Sequence, residues 1–243
     1  MELKGKAALI TGGARIGQVV ADALARRGCA LALTYRESRT EAEAAAARAR
    51  DVGVATVLVK ADATDPQQVE AAVNEAAKAL GRLDILVNMA AVYAETPQAS
   101  ADDWSRLMDT NARSVLLFAT ATAPVMRRGG GGRIISFADW LPRSGRPHYR
   151  SYIPYYTSKA AVIALTESLA FELAPAILVN AIAPGPILPP PNLTTAENAE
   201  VLAATPLARW GGADEIARAT IFLAETDFVT GECIRVDGGR HLL

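Results

Sequence analysis

The chain has 243 residues, of which 51% are hydrophobic, and its 25 Lys and Arg against 26 Asp and Glu give a formal charge of -1. This length and apolar content suffice for one large domain with a sizeable core. The balanced charge argues against nucleic acid as a main partner, because phosphate-backbone binding needs a basic excess. With 2 Cys and 2 His, neither a disulfide framework nor a metal site is expected. The chain shows neither a signal-peptide core nor a membrane span, so we expect a soluble, cytoplasmic protein.

Short apolar segments alternate with helical segments along the whole chain. We predict strands at Ala7–Ile10, Ala30–Tyr35, Val54–Val59, Asp84–Val87, Arg133–Phe137, Ile177–Ile182 and Cys233–Val236. We predict helices at Gly17–Arg27, Arg39–Arg50, Pro66–Leu80, Ser100–Met126, Tyr155–Leu173 and Ala213–Ala224. This alternation indicates βαβ units around a parallel sheet. We therefore predict a single α/β domain over residues 1–243, a doubly wound Rossmann-type sheet of about seven strands with helices on both faces.

Two irregular segments stand out from this pattern. The glycine-rich segment Arg127–Arg133 is predicted to be a flexible surface turn, because no helix start follows it. The segment Pro184–Asn192 follows a predicted strand, and ligands of such sheets lie beyond the carboxyl ends of the strands. We therefore predict that residues 184–210 form a substrate loop or lid.

The first predicted strand joins the first helix through Thr11–Gly17, TGGARIG. Glycines at such a turn let the backbone approach a ligand, and the helix N-terminus offers free N–H groups to a pyrophosphate. One glycine-rich turn is weak evidence by itself, and we combine it with the motifs below.

The end of the second strand bears on the choice of nicotinamide cofactor. NAD-binding sites place a carboxylate there, whereas NADP-binding sites use arginine and hydroxyl groups for the 2′-phosphate. Arg36 and Ser38 follow this strand, and Arg15 lies in the first turn, which favours NADP(H). Glu37 argues the other way, and the alternative is that Arg36 and Arg39 are simply solvated.

Tyr155 and Lys159 are four residues apart at the start of a predicted helix, so they share one helical face. A nearby ammonium lowers the pKa of a phenol from its free value of roughly 10. We therefore expect the pKa of Tyr155 to be lowered towards neutrality, so that the phenol exchanges a proton beside a nicotinamide.

Taken together, these motifs resemble the short-chain dehydrogenase/reductase family over essentially the whole chain. The order of the motifs, which end in Thr230-Gly231 and Val236–Gly239, supports the resemblance. It implies a nicotinamide cofactor, a small-molecule substrate and a homotetramer, and the residues after the second strand make NADPH or NADP+ the expected cofactor. The cofactor-binding residues that it implies are Gly12, Arg15, Ile16, Gly17, Arg36, Ser38, Asp62, Asn88, Lys159, Pro184 and Gly185. The catalytic residues that it implies are Asn111, Tyr155 and Lys159, with Asn111 supporting the lysine through water, and the resemblance of one branch adds Asp139.

Asp139 departs from the family pattern, which places a serine there to hydrogen-bond a substrate carbonyl. An ionised carboxylate cannot donate that bond and would repel a developing alkoxide. The change resembles the pteridine reductase and dihydromonapterin reductase branch, which implies that Tyr93 stacks on a pterin. The predicted substrate-binding residues are therefore Tyr93, Asp139 and Tyr155. The structural alternatives are a helix or turn cap for Asp139 and plain packing for Tyr93, while packing is the preferred interpretation of Trp140.

We therefore predict an NADPH-dependent reductase that transfers a hydride to a C=N bond of a dihydropterin or dihydrofolate-like substrate. The alternative is a 3-oxoacyl-carrier-protein or general carbonyl reductase, although Ser136 stands too early on its strand to replace the missing serine. A non-catalytic NADP(H)-binding sensor or scaffold is a further alternative, suggested by the short first turn. The three arginines of Pro142–Arg150 are interpreted as a solvated loop or as an entrance loop that favours anionic substrates.

Overall fold

The structure, a computed structural model, describes residues 1–12, 14–144 and 150–243. Seven strands form one sheet in the order β3-β2-β1-β4-β5-β6-β7, and every neighbouring pair is parallel. The strands are β1 Ala7–Thr11, β2 Ala30–Tyr35, β3 Thr56–Lys60, β4 Ile85–Asn88, β5 Gly132–Phe137, β6 Ile177–Pro184 and β7 Cys233–Val236. The predicted doubly wound sheet is therefore confirmed.

Helices cover both faces of this sheet. They are α1 Ile16–Arg26, α2 Arg39–Asp51, α3 Pro66–Leu80, α4 Ala101–Met108, α5 Ser114–Arg128, α6 Trp140–Ser144, α7 Ile153–Leu173, α8 Thr195–Ala203 and α9 Ala213–Glu225. A 3-10 turn, Arg240–Leu242, ends the chain. None of the helices in the described ranges is long and apolar enough to cross a membrane.

Alternate side chains of the central strands enter two separate cores. Ile10 and Val87 lie in the core that α1 and α9 cover, whereas Leu9 and Leu86 lie in the core that α3, α5 and α7 cover. All four side chains are fully buried. Successive residues of a strand point to opposite faces, so burial on both faces requires apolar residues at every position. This explains why the strands read as continuous apolar runs.

The helices differ from the prediction in three places. The stretch predicted as one helix, Ser100–Met126, is α4 and α5 joined by a π-helical turn at Asp109–Arg113. The short helix α6 and the helix α8 were not predicted. Helix α8 has no buried residue, so it lacks the apolar periodicity that identifies a helix. Its capping box, Thr194 with Glu197, was the available signal.

The segment Arg127–Arg133, predicted to be a flexible surface turn, is exposed over residues 127–130, but two of its glycines, Gly131 and Gly132, are closely packed. Gly131 has φ 119°, and a Cβ there would lie 2.4 Å from the carbonyl oxygen of Ala176. A Cβ at Gly132 would lie 2.5 Å from the sulfur of Met126. The glycines are needed because β5 starts in contact with the end of α5 and with the residue before β6.

We predict that Gly131→Ala destabilises the protein by about 2 kcal/mol more than Gly130→Ala does. Both residues have positive φ, so both variants carry the backbone strain, but a Cβ at Gly130 meets nothing within 4 Å. Urea unfolding of both variants measures the difference. Equal losses of unfolding free energy would show that the contact with Ala176 has no energetic weight.

Candidate active site

A cavity of about 510 Å³ opens where the carboxyl ends of the central strands meet. Strand register aligns the ends, because Thr11 of β1 pairs with Asn88 of β4, and Asn88 pairs with Ser136 of β5. The cavity is lined by segments that follow these strands and β6, including Gly12, Met89, Asp139 and Gly185. Most of the predicted site residues therefore come together at one edge of the sheet.

The first turn approaches the segment after β4 very closely. Gly12 has φ 70°, and a Cβ there would lie 2.7 Å from Cα of Ala90. The Thr11 hydroxyl accepts hydrogen bonds from the backbone N–H groups of Met89 and Ala90. Arg15 precedes α1 with φ 51° and lines the cavity beside Ile16. Only glycine fits at position 12. The close packing of this turn leaves its backbone and the N-terminus of α1 at the cavity wall.

The turn after β6 is held against the C-terminal segment in the same way. A Cβ at Gly185 would lie 2.5 Å from Cβ of Asp237. The Gly185 N–H donates to the carbonyl oxygen of Val236. Pro184 and Gly185 both line the cavity, and their binding of the cofactor stays a prediction.

The residues predicted to select the cofactor cluster at the ends of β2 and β3. Arg36 is exposed and forms ion pairs with Glu37 at 3.2 Å and with Asp62 at 3.6 Å. Asp62 also accepts hydrogen bonds from the backbone and hydroxyl groups of Thr64, which lower its pKa. Ser38 is the N-cap of α2, but its side chain makes no capping hydrogen bond. A cation and a hydroxyl group thus lie together at the position where a 2′-phosphate is expected.

Asp139 and Tyr155 form the central contact of the site. The Tyr155 hydroxyl donates to Oδ2 of Asp139 at 2.8 Å. The other oxygen, Oδ1, accepts the backbone N–H of Leu141 at 2.9 Å and so caps the start of α6. One oxygen of Asp139 therefore makes the predicted cap, and the other contacts the phenol of Tyr155.

Burial dominates the electrostatics of this pair. Desolvation raises the pKa of the Asp139 carboxyl, although its hydrogen bonds and nearby Lys159 oppose the shift. Desolvation and the adjacent Asp139 raise the pKa of Tyr155 well above 10. The expectation that the pKa of Tyr155 falls towards neutrality is therefore wrong, because the net shift is upward. The phenol is buried beside a carboxylate, and both factors disfavour a phenolate.

Lys159 lies one helical turn after Tyr155 and is also buried. Its ammonium donates to the carbonyl oxygen of Phe137 at 2.8 Å. Burial lowers the pKa of Lys159 to about 8. The lysine is therefore poised to change charge within a few pH units of neutrality.

Asn111 lies in the π-helical turn and ties two segments of the site together. Its side-chain amide donates to the Val92 carbonyl oxygen and to the Ser158 hydroxyl, and its Oδ1 accepts the Val92 N–H. The structure thus gives Asn111 a clear positioning contact, while its support of Lys159 through water stays a prediction. Such π-helical turns are common at functional sites.

Asn88 and Ser136 pair with each other at the ends of β4 and β5. The Asn88 amide donates to the Ser136 hydroxyl at 3.2 Å, and both side chains are buried. Within the described residues, Oδ1 of Asn88 is a buried acceptor with no hydrogen-bond partner. Ser136 is committed to this contact inside the sheet, which agrees with its position being too early for a substrate-binding serine.

Three tyrosine rings meet at the mouth of the cavity. The Tyr93 ring stacks on Tyr152 with centroids 5.1 Å apart, and it meets the Tyr155 ring edge-on at 4.8 Å. Tyr93 is 63% exposed, so it is not a core residue. Tyr152, which also donates to Glu95, was not predicted. Its position three residues before Tyr155, at the N-cap of α7, was the available signal.

Two further residues of note line the cavity. Trp140 is buried and lines the cavity, so it both packs and contacts the site. Arg240 also lines the cavity, and its guanidinium lies 5.6 Å from the Trp140 ring centroid. The sequence offered no signal for Arg240. Most of the insertion Pro142–Arg150, residues 145–149, and Gly13 of the first turn lie outside the described residues.

Comparisons with known proteins agree with this geometry. A family model described as enoyl-(acyl carrier protein) reductase matches residues 13–241. A 3-oxoacyl-[acyl-carrier-protein] reductase, FabG, of Staphylococcus aureus is 34% identical, with 98% of each chain covered. The chain belongs to the short-chain dehydrogenase/reductase family.

Two solved structures of similar fold contain a nicotinamide cofactor. A blue fluorescent protein from a metagenomic library, in complex with NADPH, has a TM-score of 0.89 at 32% identity and covers 99% of each chain. FolM alternative dihydrofolate reductase 1 from Brucella canis, complexed with NADP, has a TM-score of 0.90 at 30% identity and covers 100% of this chain and 97% of its own. The family assignment makes the protein an NAD(P)-dependent oxidoreductase that acts on small molecules.

We predict that Lys159→Met makes the cofactor-free protein more stable, by about 2 kcal/mol at pH 7. The folded-state pKa of Lys159 is lowered to about 8, so the folded protein bears the cost of a buried ammonium below that pH. Between pH 8 and the pKa of the unfolded lysine, the wild type loses this penalty and its stability rises relative to the variant. Urea unfolding from pH 7 to pH 10 should show the difference shrinking.

The matched control is Lys78→Met, which removes one exposed lysine on α3. A Lys159→Met difference that stays constant over this pH range would contradict the prediction.

Proposed function

We propose that the protein is an NADPH-dependent reductase of a C=N bond in a pterin, with a dihydropterin or dihydrofolate-like compound as substrate. The observation that carries this proposal is the hydrogen bond between Asp139 Oδ2 and the Tyr155 hydroxyl. A carboxylate at this position disfavours a developing alkoxide but suits a nitrogen that gains a proton.

The residues present fit a dinucleotide. Gly12 and Gly17 leave room at the first turn, where an added Cβ would be crowded. Arg15 and Ile16 would lie along the pyrophosphate, Arg36 and Ser38 at the 2′-phosphate, and Asp62 at the adenine. Asn88, Lys159, Pro184 and Gly185 would hold the nicotinamide riboside. When bound, the reduced nicotinamide supplies a hydride to the carbon of the C=N bond.

The chain's own residues supply the matching proton. The raised pKa of Tyr155 keeps the phenol protonated at neutral pH, so its Oη donates a proton to the substrate nitrogen. Asp139 rests as a carboxylate that accepts the Tyr155 hydroxyl, and it relays a proton from water through Oδ2 to Oη after the phenol has given up its own. The Lys159 ammonium lowers the energy of the transient phenolate. One hydride and one proton reduce the C=N bond to an amine.

The walls of the cavity support a flat heterocyclic substrate. Tyr93 offers an exposed ring at the mouth, and its stack on Tyr152 holds that ring in place. Residues 184–210, with Leu193 and Trp210 at the cavity, form the proposed substrate loop. The similarity to FolM, a dihydrofolate reductase, agrees with this substrate class.

A second candidate is reduction of a 3-oxoacyl thioester or another carbonyl compound. The 34% identity to FabG over nearly the whole chain favours it. Against it, the position that needs a hydrogen-bond donor holds Asp139, and Ser136 is committed to Asn88. We therefore rank it second.

We further propose a cytoplasmic homotetramer, as expected from the family. Exposed apolar side chains on α5 and α7, including Leu116, Ile153 and Phe171, agree with helix packing between subunits.

We predict that Asp139→Asn and Asp139→Ser lower kcat for dihydropterin reduction by about 100-fold. Neither side chain can return a proton to Tyr155. The raised pKa of Asp139 keeps its carboxyl protonated to higher pH. Wild-type kcat should therefore fall as the pH rises through that pKa. The variants should not show this fall, because they have no carboxyl group at position 139. NADPH oxidation from pH 5 to pH 9 measures both effects.

Asp139→Asn is the matched control for folding, because its Oδ1 still accepts the Leu141 N–H and keeps the cap of α6. If Asp139→Ser reduced pterins as fast as the wild type, Asp139 would have no special role in the reaction. Wild-type activity on acetoacetyl thioesters with none on dihydropterins would favour the second candidate.

We predict that Arg36→Ala weakens NADPH binding at least about tenfold and leaves NADH binding nearly unchanged, because only NADPH carries the phosphate that needs a charged donor. Fluorescence titration with each cofactor measures the two dissociation constants. Arg39→Ala is the matched control, since Arg39 is paired with Glu43 at 2.7 Å. Equal losses for the two cofactors would contradict the assignment of Arg36.

A further inference from the structure

We propose that Asn198 on α8 is a positioning residue for substrate binding, which fixes the Trp210 ring in the wall of the cavity and holds α8 in place. The contact that carries this proposal is a hydrogen bond of 2.8 Å, in which the Trp210 indole Nε1–H donates to Oδ1 of Asn198. The inference rests on the proposed substrate loop, residues 184–210, and adds to it a residue that was not predicted from the sequence.

The two ends of the substrate loop are fixed by backbone hydrogen bonds. The Gly211 N–H donates to the Pro186 carbonyl oxygen at 2.9 Å, which joins the start of the loop to its end. The chain after α8 is tied to the C-terminal segment, because the Leu207 N–H donates to the Gly238 carbonyl oxygen at 3.1 Å. Residues 188–204, which include α8, therefore leave a fixed frame and return to it. Their position within that frame depends on the contacts that α8 itself makes.

Helix α8 is not held by an apolar core. None of its residues is buried, and its half-buried residues are Asn198, Val201 and Leu202. Val201 lines the cavity, and Asn198 shares its face of the helix because the two residues are three apart. This face therefore carries a polar amide where a helix packed on a core carries an apolar side chain. With so little apolar burial, each hydrogen bond has a large share in holding α8.

Trp210 and Arg240 both reach α8 from outside the helix. The Arg240 guanidinium donates to the backbone carbonyl oxygen of Val201 at 2.9 Å, a contact that any residue at position 201 provides. The Trp210 indole donates to a side chain, so its contact requires an acceptor at position 198. Asn198 is therefore the residue of α8 whose identity decides whether this helix stays joined to Trp210.

Trp210 contributes an aromatic ring to a cavity that Tyr93 and Trp140 also line. The indole N–H is the single polar group of a tryptophan side chain, and it acts only as a donor. Its bond to Asn198 satisfies that group and restricts rotation of the ring. A ring fixed before the substrate arrives loses little conformational entropy on binding, and a flat conjugated substrate gains most from contact with it.

The test removes the acceptor at position 198 and measures substrate binding and the opening of α8 separately. We expect Asn198→Ala to raise KM for dihydrobiopterin about fivefold and to change kcat less than about twofold, because one neutral hydrogen bond is lost away from the proton-transfer groups. Hydrogen–deuterium exchange over residues 195–203 should become faster by about the same factor. Asn198→Asp keeps an acceptor oxygen, so it should restore most of both values.

Asn74→Ala is the matched control, since it removes an exposed asparagine from α3, outside the cavity. Both substitutions replace a helical asparagine with alanine and raise helix propensity alike, so the contact with Trp210 is what distinguishes them. Trp210→Phe keeps an aromatic ring but lacks the donor. In a double-mutant cycle, Asn198→Ala added to Trp210→Phe should raise KM less than about twofold further.

The proposal is overturned if Asn198→Ala leaves KM or the exchange of residues 195–203 unchanged, if Asn198→Asp restores neither, or if the two substitutions act additively. Failure of the proposed function gives a different result. If the wild type reduces an acetoacetyl thioester and no dihydropterin, the proposed reaction fails, while hydrogen exchange, which needs no substrate, still decides the role of Asn198. Faster exchange in Asn198→Ala that Asn198→Asp reverses would then support that role, and equal exchange in all three proteins would refute it.

Discussion

The parallel direction of all seven strands is the constraint on which the site depends. Because neighbouring strands run the same way, β1, β4, β5 and β6 end at one edge of the sheet. Chain segments far apart in sequence therefore emerge side by side, and each contributes a backbone turn or a side chain to the same cavity. Helices on both faces bury the sheet, so this edge is where polar groups and a ligand meet.

Close backbone packing at that edge decides where the functional groups lie. Gly12 and Gly185 each stand where a Cβ would collide with a neighbouring segment. Their contacts with Ala90 and Asp237 bring the first turn and the C-terminal segment to the cavity. The glycine before β5 is required for the same reason, because a Cβ at Gly131 would collide with Ala176 at the opposite end of the sheet. Glycine here serves close approach more than flexibility.

Asp139 shows how one side chain can serve structure and chemistry together. One oxygen caps α6 and thereby fixes the direction of the carboxylate, while the other contacts Tyr155. The short helix α6 also places Trp140 on the wall where Arg240 stacks. The aspartate thus has a structural partner of its own at the position of the family's serine, and its presence is compatible with an intact fold.

Much of the fold was predictable because its signals are local. Continuous apolar runs located every strand to within two residues, and the Asp65-Pro66 pair marked the start of α3. Helix α8 was missed because it buries nothing, and the glycines before β5 were misinterpreted because their neighbours come from elsewhere in the chain. In the site, the four-residue spacing placed Tyr155 and Lys159 together. The direction of the pKa shift of Tyr155 was wrong because desolvation depends on everything packed around the ring.

By itself, the sequence determined the family, the order of strands and helices, and the side chains available for cofactor and proton chemistry. These properties follow from residue types and short spacings, which can be recognised without knowing any tertiary contact. Only the tertiary structure decided which oxygen of Asp139 meets Tyr155, that both of their pKa values rise, and that Arg240 reaches the cavity from the end of the chain. Those outcomes depend on burial and on distances between distant segments, and no local pattern encodes them.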